Sequence, residues 1–220
     1  MNTTPGVPAL PRHVPGPDVP AEKARWRSLV RAARRDLVDG WGTPGRAAAA
    51  QALASAGLAL VEGQVAAHGV RAGRAGATVT AFEPMRTEPP VDLLVQRLQE
   101  AGVRVLVPIT RARPRLDWAD LADPGRAPLG EAVLAEVDLA LVPALALGLD
   151  GVRLGQGGGY YDTTLPRLRE LSPGAPVVAV LHDHELVPSV PAAGHDVRVD
   201  AVLRPATGVT PLPVSPTGTR

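Results

Sequence analysis

A glycine-rich segment late in the chain carries the residues best suited to chemistry. The run RLGQGGGYYD places four glycines, within residues 155–159, directly before a helix-like stretch that starts near Tyr160. Glycine lets backbone N–H groups approach phosphate oxygens closely, and the helix start adds its dipole and free N–H groups. Arg153 could neutralise phosphate charge, and Asp162 could hold a magnesium ion. Loops of this kind also serve as plain turns, so both interpretations stay open at this point.

The segment matches neither of the two common phosphate-binding motifs. A Walker-type loop requires lysine and then serine or threonine after its last glycine, whereas Tyr160 follows Gly159 here. The dinucleotide fingerprint expects its glycines directly after a first strand, with an acidic residue about 20 residues further on. Because this loop lies late in the chain, any nucleotide site must be of another type.

A second concentration of charge lies on a helix predicted from Glu22 to Val38. Apolar residues recur on one face at steps of three and four, at Trp26, Val30, Ala33 and Leu37. The other face is assigned the cations Lys23, Arg27, Arg31, Arg34 and Arg35. The four-residue step from Lys23 to Arg27 points those two side chains the same way. This face is either solvated or an anion site that uses two of the cations.

The elements that must position these groups follow an α/β pattern. An alanine-rich second helix is predicted from about Gly45 into the Gln64 region, with Pro44 near its start. A further helix is predicted at residues 91–100, and strands at residues 77–82, 103–107, 137–142 and 176–181. This order predicts an α/β layer fold with a mainly parallel sheet. Ligand-binding loops in such folds gather at the carboxyl ends of the strands, so chemistry is expected after these four strands.

Composition limits the classes of protein to which the chain can belong. A length of 220 residues suits one domain, predicted at residues 21–204, with disordered tails at residues 1–20 and 205–220. A net charge of +1 provides no global field for nucleic acid or an anionic membrane, so neither is an expected partner. Without cysteine the chain has no disulfide, thiolate metal site or cysteine nucleophile. The N-terminus lacks a signal-peptide pattern, and a cytoplasmic location is expected.

Five separated segments together resemble the 5-formyltetrahydrofolate cyclo-ligase family. They are KARWR with Lys23 and Arg27, TAFEPMRTEPPVD with Glu88, VRVLVPI, RLGQGGGYYD, and HDVRVDAVL with Asp196. They follow the order and approximate spacing of the family over roughly residues 23–203. The resemblance implies a three-layer α/β/α fold that is Rossmann-like, of the NagB/RpiA/CoA transferase-like type, with a mainly parallel sheet.

The resemblance also implies an activity and a set of site residues. The family uses ATP and Mg²⁺ to convert 5-formyltetrahydrofolate to 5,10-methenyltetrahydrofolate, releasing ADP and phosphate. The ATP-binding residues would be Lys23, Arg27, Arg153, Leu154, Gly155, Gln156, Gly157, Gly158, Gly159, Tyr160 and Tyr161. Arg153, Tyr160 and Tyr161 would be catalytic, Glu88, Glu83, Gln156 and Tyr160 would bind the folate, and Asp162 and Asp196 would hold Mg²⁺. The expected partner is a folate, with or without further glutamates, and the expected state is a monomer.

Several of these residues also have a simpler interpretation. Either tyrosine could be core packing, and Glu88 taken alone could be a surface charge. The arginines at positions 111, 113 and 115 could meet the glutamate tail of folate or form a solvated loop. The histidines at 182, 184 and 195, with Asp183, could suggest a metal site, but under the resemblance they are structural or line the pocket.

The chain departs from the family pattern at a few positions. Ala144, Leu147 and Gly148 stand where the family often has glycine, phenylalanine and aspartate. Gly158 stands where many members have lysine, and Arg204 replaces an expected threonine. Two alternatives to the cyclo-ligase therefore stay open. One is a noncatalytic protein of the same fold that binds folate or nucleotide, and the other is a different ATP-dependent ligase or phosphotransferase.

Overall fold

The computed structural model describes residues 9–69, 76–112, 114–194 and 196–213. The helices are α1 (Val19–His68), α2 (Asp92–Glu100) and α3 (Tyr160–Leu171), with short 3₁₀ helices at Glu131–Glu136 and Asp183–Glu185. The strands are β1 (Thr78–Thr80), β2 (Arg104–Thr110), β3 (Leu116–Asp120), β4 (Leu139–Pro143), β5 (Ala146–Gly148), β6 (Arg153–Leu154), β7 (Val177–Val180), β8 (Leu186–Val187), β9 (Ala201–Arg204) and β10 (Gly208–Pro211).

Helix α1 contains both helices predicted for the N-terminal third of the chain. Its two halves are separated by a break at Gly42, which has a φ of 58° and a ψ of −171°. A positive φ suits glycine, and Pro44 begins the second half where its missing N–H costs little. Asp18 caps the start of α1 by accepting a hydrogen bond from the backbone N–H of Ala21.

The N-terminal segment is more ordered than the sequence predicted. The predicted disordered tail at residues 1–20 is wrong at its C-terminal end, because α1 already begins at Val19. Before the helix, Leu10 packs against the cluster around Trp26, and His13 Nε2 lies 2.9 Å from Glu22 Oε2. Residues 1–8 lie outside the described residues.

A seven-stranded sheet in the order β10-β9-β7-β4-β1-β2-β3 forms the centre of the fold. Its five inner strands are parallel and its two edge strands are antiparallel, which confirms the mainly parallel prediction. The tail predicted for residues 205–220 is wrong at Gly208–Pro211, which forms edge strand β10. Strand β10 pairs with β9 through backbone hydrogen bonds. This pairing does not require apolar side chains, so a segment of low apolar content can form an edge strand.

Alternating residues of the central strands face two helical layers. Leu139 and Leu141 of β4 pack in the cluster that includes the second half of α1 and helix α2. Ala140 and Val142 pack in the cluster with α3 and the 3₁₀ helix at Glu131–Glu136. Since successive strand residues point to opposite faces, the sheet is covered on both sides. The architecture is a three-layer α/β/α fold, as predicted.

A smaller sheet that the sequence did not predict packs against the first half of α1. Its three strands lie in the order β6-β5-β8, and each is two or three residues long. Trp26 and Val30 of α1 share a buried cluster with Val152 and Leu154 at β6. This packing places the cationic residues of α1 beside the glycine-rich segment that follows β6. Among the described residues, no helix combines the length and apolar character needed to cross a bilayer.

Candidate active site

The glycine-rich segment at residues 155–159, called the glycine loop below, connects β6 to α3 and lines a small cavity. Pro143, at the carboxyl end of β4, lines the same cavity of about 120 Å³ together with Arg153, Tyr160 and Asp162. Gly157 and Gly159 have φ values of 97° and 77°, a backbone region that favours glycine. The loop therefore lies at the edge of the sheet where parallel α/β folds bind ligands, as predicted.

Three cations of α1 contact this region. Lys23 Nζ lies 2.7 Å from Asp196 Oδ2, and Arg27 Nε donates to the Gly155 carbonyl oxygen at 2.9 Å. Arg31 Nη2 donates to the carbonyl oxygen of Gln156 at 2.9 Å. Lys23 and Arg27 are partly buried in these contacts, whereas Arg31 is exposed, so the solvated interpretation is wrong for the first two residues only. Because the three cations follow one another at four-residue steps, they lie along one side of the helix.

Arg153 lies between two of the predicted site residues. Its Nη2 donates to Asp162 Oδ1 at 2.8 Å, and its guanidinium carbon lies 5.6 Å from the centroid of the Tyr161 ring. Burial lowers the pKa of Arg153, while attraction to Asp162, Tyr161 and Asp196 opposes that shift. Burial also raises the pKa of the Tyr161 hydroxyl. Arg153 Nε and the Tyr161 hydroxyl are buried with no hydrogen-bond partner among the described residues, which leaves polar capacity for a ligand.

The two predicted magnesium ligands are each paired with a cation. Asp196 is bonded to Lys23 and Asp162 to Arg153, and both carboxylates act on the pKa of Arg153. Within the described part of the chain, no group of three or more acidic or histidine side chains could hold a metal ion. Mg²⁺ is commonly bound through one or two carboxylates together with phosphate oxygens and waters. These residues therefore fit a magnesium–nucleotide complex better than a free ion.

A buried ionic cluster lies further along α1, around Arg34. Its side chain is 1% exposed and binds Glu185 through two hydrogen bonds, Nε to Oε1 at 2.6 Å and Nη2 to Oε2 at 3.0 Å. Arg34 Nη2 also donates to the Ala144 carbonyl oxygen at 2.5 Å, and Nη1 lies 3.9 Å from Glu88 Oε1. The prediction that Arg34 lies on the polar face of the helix is therefore wrong. The sequence did contain a signal for its burial: Arg34 lies four residues after the apolar Val30, and residues four apart share one face of a helix.

The two main partners in this cluster hold each other in the charged state. Burial acts to lower the pKa of Arg34, but attraction and hydrogen bonding to Glu185, with attraction to Glu88, outweigh it and raise the pKa. Burial acts to raise the pKa of Glu185, but Arg34 and His182 outweigh it and lower the pKa. The cluster is therefore an ion pair that stays charged inside the protein.

Glu88 lies between this cluster and the glycine loop. It is buried, and its Oε2 accepts a hydrogen bond from the Met85 backbone N–H at 3.0 Å. Gln156 Nε2 donates to Glu88 Oε1 at 3.2 Å. The structure thus brings Glu88 to the loop, and its interpretation as a surface charge is wrong. Glu83, in contrast, is paired with Arg126 at 3.1 Å and has a side chain that is 70% exposed.

The histidines near the end of β7 are buried. His182 Nε2 lies 3.0 Å from the Thr87 carbonyl oxygen, and the His182 ring meets Trp41 edge-on at 5.2 Å between ring centroids. His184 stacks on His182 at 6.1 Å. Burial lowers the pKa of both rings, and repulsion from Arg34 adds to the shift. His195 lies outside the described residues.

The predicted arginine loop lies beside the first turn of α3. Arg111 is paired with Asp117 at 3.1 Å, and Arg115 lines a cavity of about 680 Å³. Thr163 Oγ1 donates to the Pro114 carbonyl oxygen at 2.8 Å, which ties the loop to α3. Arg113 lies outside the described residues. A contact between this loop and the glutamate tail of folate stays a prediction.

Three positions that depart from the family pattern are Gly158, Gly148 and Arg204, and each has close neighbours in the structure. A Cβ at Gly158 would lie 2.8 Å from the Tyr160 ring, so a larger residue there requires that ring to move. A Cβ at Gly148 would lie 2.5 Å from Asp150 Oδ1. Arg204 donates to the Asp183 carbonyl oxygen at 3.3 Å and to Thr210 Oγ1 at 3.2 Å. Arg204 therefore connects β9 to its neighbours.

Comparisons with known proteins concern the family of the chain and its fold. A model of the 5-formyltetrahydrofolate cyclo-ligase family matches residues 22–205. A 5-formyltetrahydrofolate cyclo-ligase of Mycolicibacterium smegmatis is 36% identical over 154 residues, which cover 62% of this chain and 78% of the relative.

Two solved structures have a similar fold. A 5,10-methenyltetrahydrofolate synthetase from Aquifex aeolicus aligns with a TM-score of 0.67 at 18% identity, covering 90% of this chain and 96% of the other. A 5,10-methenyltetrahydrofolate synthetase from Mycoplasma pneumoniae aligns with a TM-score of 0.62 at 20% identity, covering 82% and 97%. At these identities the structural similarity supports the fold alone.

Proposed function

Because the chain belongs to the 5-formyltetrahydrofolate cyclo-ligase family, we propose that the site between α1 and the glycine loop converts 5-formyltetrahydrofolate to 5,10-methenyltetrahydrofolate with ATP and Mg²⁺. One observation carries the assignment of this site. Arg27 and Arg31 of α1 donate to backbone carbonyl oxygens of the glycine loop, and Gln156 of the same loop donates to Glu88. Lys23, one helix turn before Arg27, pairs with Asp196. Positive charge for a triphosphate and a fixed carboxylate for a pterin therefore lie next to each other.

The nucleotide is proposed to bind by exchanging ion-pair partners. The cavity of about 120 Å³ is smaller than the roughly 300–1,000 Å³ of typical ligand pockets, so ATP would extend beyond it. Phosphate oxygens would replace Asp196 at Lys23 and Asp162 at Arg153, and backbone N–H groups of the glycine loop would add further donors. The released carboxylates of Asp162 and Asp196 would then hold Mg²⁺ against the phosphates.

The folate is proposed to bind on the Glu88 side of the glycine loop. The Glu88 carboxylate would accept hydrogen bonds from the amino groups of the pterin, and such charge-assisted bonds are stronger than neutral ones. Tyr160, which follows the loop, would contact the substrate between pterin and phosphate. This arrangement would point the formyl group towards the γ-phosphate.

The proposed chemistry is a phosphoryl transfer followed by ring closure. The formyl oxygen attacks the γ-phosphorus and ADP leaves, which turns a poor leaving oxygen into a phosphate ester. The neighbouring nitrogen then adds to the activated carbon and loses its proton, and the carbon–oxygen bond breaks so that phosphate leaves with the former formyl oxygen. Since phosphoryl transfer needs little covalent help from protein, the roles of Lys23, Arg27 and Arg153 are to align the reactants and neutralise developing charge. Mg²⁺, when bound with ATP, would neutralise charge on the β- and γ-phosphates.

A turnover assay with a matched variant tests this proposal. Purified protein is mixed with ATP, Mg²⁺ and 5-formyltetrahydrofolate, and the absorbance of 5,10-methenyltetrahydrofolate is followed. We expect product formation by the wild type, and a loss of about 100-fold or more in turnover for Asp162→Ala, the order of effect seen when one charge-stabilising group is removed. Circular dichroism should show that the variant remains folded.

Each alternative has its own outcome in this assay. ATP binding without product would indicate a noncatalytic protein of the same fold. ADP formation with other acceptors but not with 5-formyltetrahydrofolate would indicate a different ATP-dependent ligase. Full activity of Asp162→Ala would refute the magnesium assignment.

A further inference from the structure

The side chain of Gln156 bridges the two halves of the proposed site. Its Oε1 accepts hydrogen bonds from Arg31 Nε at 3.2 Å and Nη2 at 3.0 Å, and its Nε2 donates to Glu88 Oε1 at 3.2 Å. Chemistry fixes the orientation of the amide, because a guanidinium only donates and a carboxylate only accepts. Gln156 can satisfy both neighbours in this orientation alone.

The two neighbours of Gln156 belong to different substrates under the proposed function. Arg31 lies on the cationic side of α1, which also contacts the glycine loop through the Gln156 carbonyl oxygen. Glu88 lies after β1, where the Met85 backbone and the buried Arg34 limit its movement. The nucleotide side and the pterin side therefore meet at one neutral side chain.

The position of Gln156 in the chain makes its placement depend on the loop. It lies between Gly155 and Gly157, and Gly157 has a φ of 97°. Glycines on both sides give this segment more conformational freedom than other residues would allow, so ordering it costs free energy. Whichever substrate orders the loop first reduces that cost for the second.

We propose that Gln156 is a positioning residue that couples the two substrate sites, so that bound nucleotide strengthens the binding of the reduced folate. Phosphates that order the glycine loop hold Gln156 against Glu88, and Glu88 is then oriented for the pterin. The inference rests on the proposed function and adds a specific dependence between its two substrates. Couplings of this kind are typically 5- to 150-fold, and we expect about tenfold here.

Two opposite substitutions break the bridge at one end each. Gln156→Glu keeps an acceptor for Arg31 but places a carboxylate against Glu88. Gln156→Lys keeps a donor for Glu88 but places a cation against Arg31. Arg35→Ala serves as the matched control, because Arg35 is exposed on the same helix and has no side-chain partner among the described residues.

Isothermal titration calorimetry measures the coupling directly. The dissociation constant of 5-formyltetrahydrofolate is determined with and without Mg²⁺ and a non-hydrolysable β,γ-imido analogue of ATP. We expect the analogue to tighten folate binding about tenfold in the wild type and in Arg35→Ala. In both Gln156 variants this ratio should fall close to one, a loss that a general structural role would not produce.

Three results would overturn the inference. The wild type could show a ratio of one, or either Gln156 variant could retain the wild-type ratio. A third variant, Gln156→Met, removes both hydrogen bonds of the amide. If it binds folate more tightly by the same factor with and without nucleotide, Gln156 only blocks access to Glu88 and does not couple the sites. Failure of the proposed function is distinguishable, since the wild type would then bind no folate or form no 5,10-methenyltetrahydrofolate.

Discussion

The ion pairs at the two ends of the cationic stretch of α1 differ in their access to water. At the inner end, the side chains of Arg34 and Glu185 are 1% and 0% exposed and share two hydrogen bonds. At the outer end, Lys23 is 15% exposed in its pair with Asp196. A neighbouring outer pair joins Arg153 of β6 to Asp162 of α3, which is 44% exposed. The inner pair is sealed, whereas each outer pair has a member that a ligand can approach.

The inner pair therefore suits the positioning of neighbouring segments, and the outer pairs suit an exchange of ion-pair partners. Arg34 contacts groups that follow three adjacent strands of the main sheet: Ala144 after β4, Glu185 after β7 and Glu88 after β1. A sealed charge with three partners keeps these segments in register. Under the proposed function, phosphate oxygens would replace a carboxylate in each outer pair, because water can reach these pairs and compensate for the exchange.

The largest expected effect is the loss of stability when the inner pair is broken. Arg34→Ala leaves the Glu185 carboxylate buried without its main partner, and such changes cost about 3–5 kcal/mol of unfolding free energy. Urea denaturation followed by circular dichroism measures this loss. Arg35→Ala should stay within about 0.5 kcal/mol of the wild type, as exposed substitutions do. A loss below about 1 kcal/mol for Arg34→Ala would contradict the sealed-pair description.

A smaller effect, on binding rather than stability, is expected at the outer end. Lys23→Ala combined with Arg27→Ala should weaken ATP binding about 10- to 100-fold, because each charged hydrogen bond contributes about 1.5–3 kcal/mol and part of that is replaced by water. Folate affinity measured without nucleotide should stay unchanged. Separate calorimetric titrations of ATP and of 5-formyltetrahydrofolate check the two statements. An unaltered ATP dissociation constant would mean that these cations do not bind the nucleotide.

The smallest expected effect is a dependence of stability on pH that comes from the inner end. The pKa values of His182 and His184 are lowered from 6.5 by burial, so near pH 6 the unfolded chain binds protons that the folded chain does not. The unfolding free energy should therefore fall as pH drops below about 6.5, by at most about 1.4 kcal/mol per pH unit for each histidine. The contribution of the two neutral histidines to the unfolding free energy is fully present above the pKa that histidine has in the unfolded chain.

A pair of histidine variants tests the source of this dependence. His184→Asn should reduce the slope of unfolding free energy against pH between about pH 6.5 and 5, because one of the two buried rings is lost. His68→Asn changes an exposed ring at the end of α1 and should leave the slope unchanged. Equal slopes in the wild type and His184→Asn would mean that His184 does not contribute to the acid sensitivity.

The sequence by itself determined the types of the main elements and the position of the glycine loop between a strand and a helix. The helical periodicity of Trp26, Val30 and Leu37, and the apolar runs that became β4 and β7, are local patterns that the fold then used. The glycine loop could be identified because its residue types limit what its backbone can do. Five motifs in the order of one family added the expected activity.

Only the tertiary structure decided which side chains meet. Lys23 and Asp196 are 173 residues apart in sequence, and Arg34 and Glu185 are 151 residues apart. The small sheet that places α1 over the glycine loop is built from strands of two or three residues, too short to show a period. Strand β10 depends on pairing with β9 rather than on its own apolar content. These features depend on packing between distant segments, because a local pattern shows which face of an element is buried but not which partner buries it.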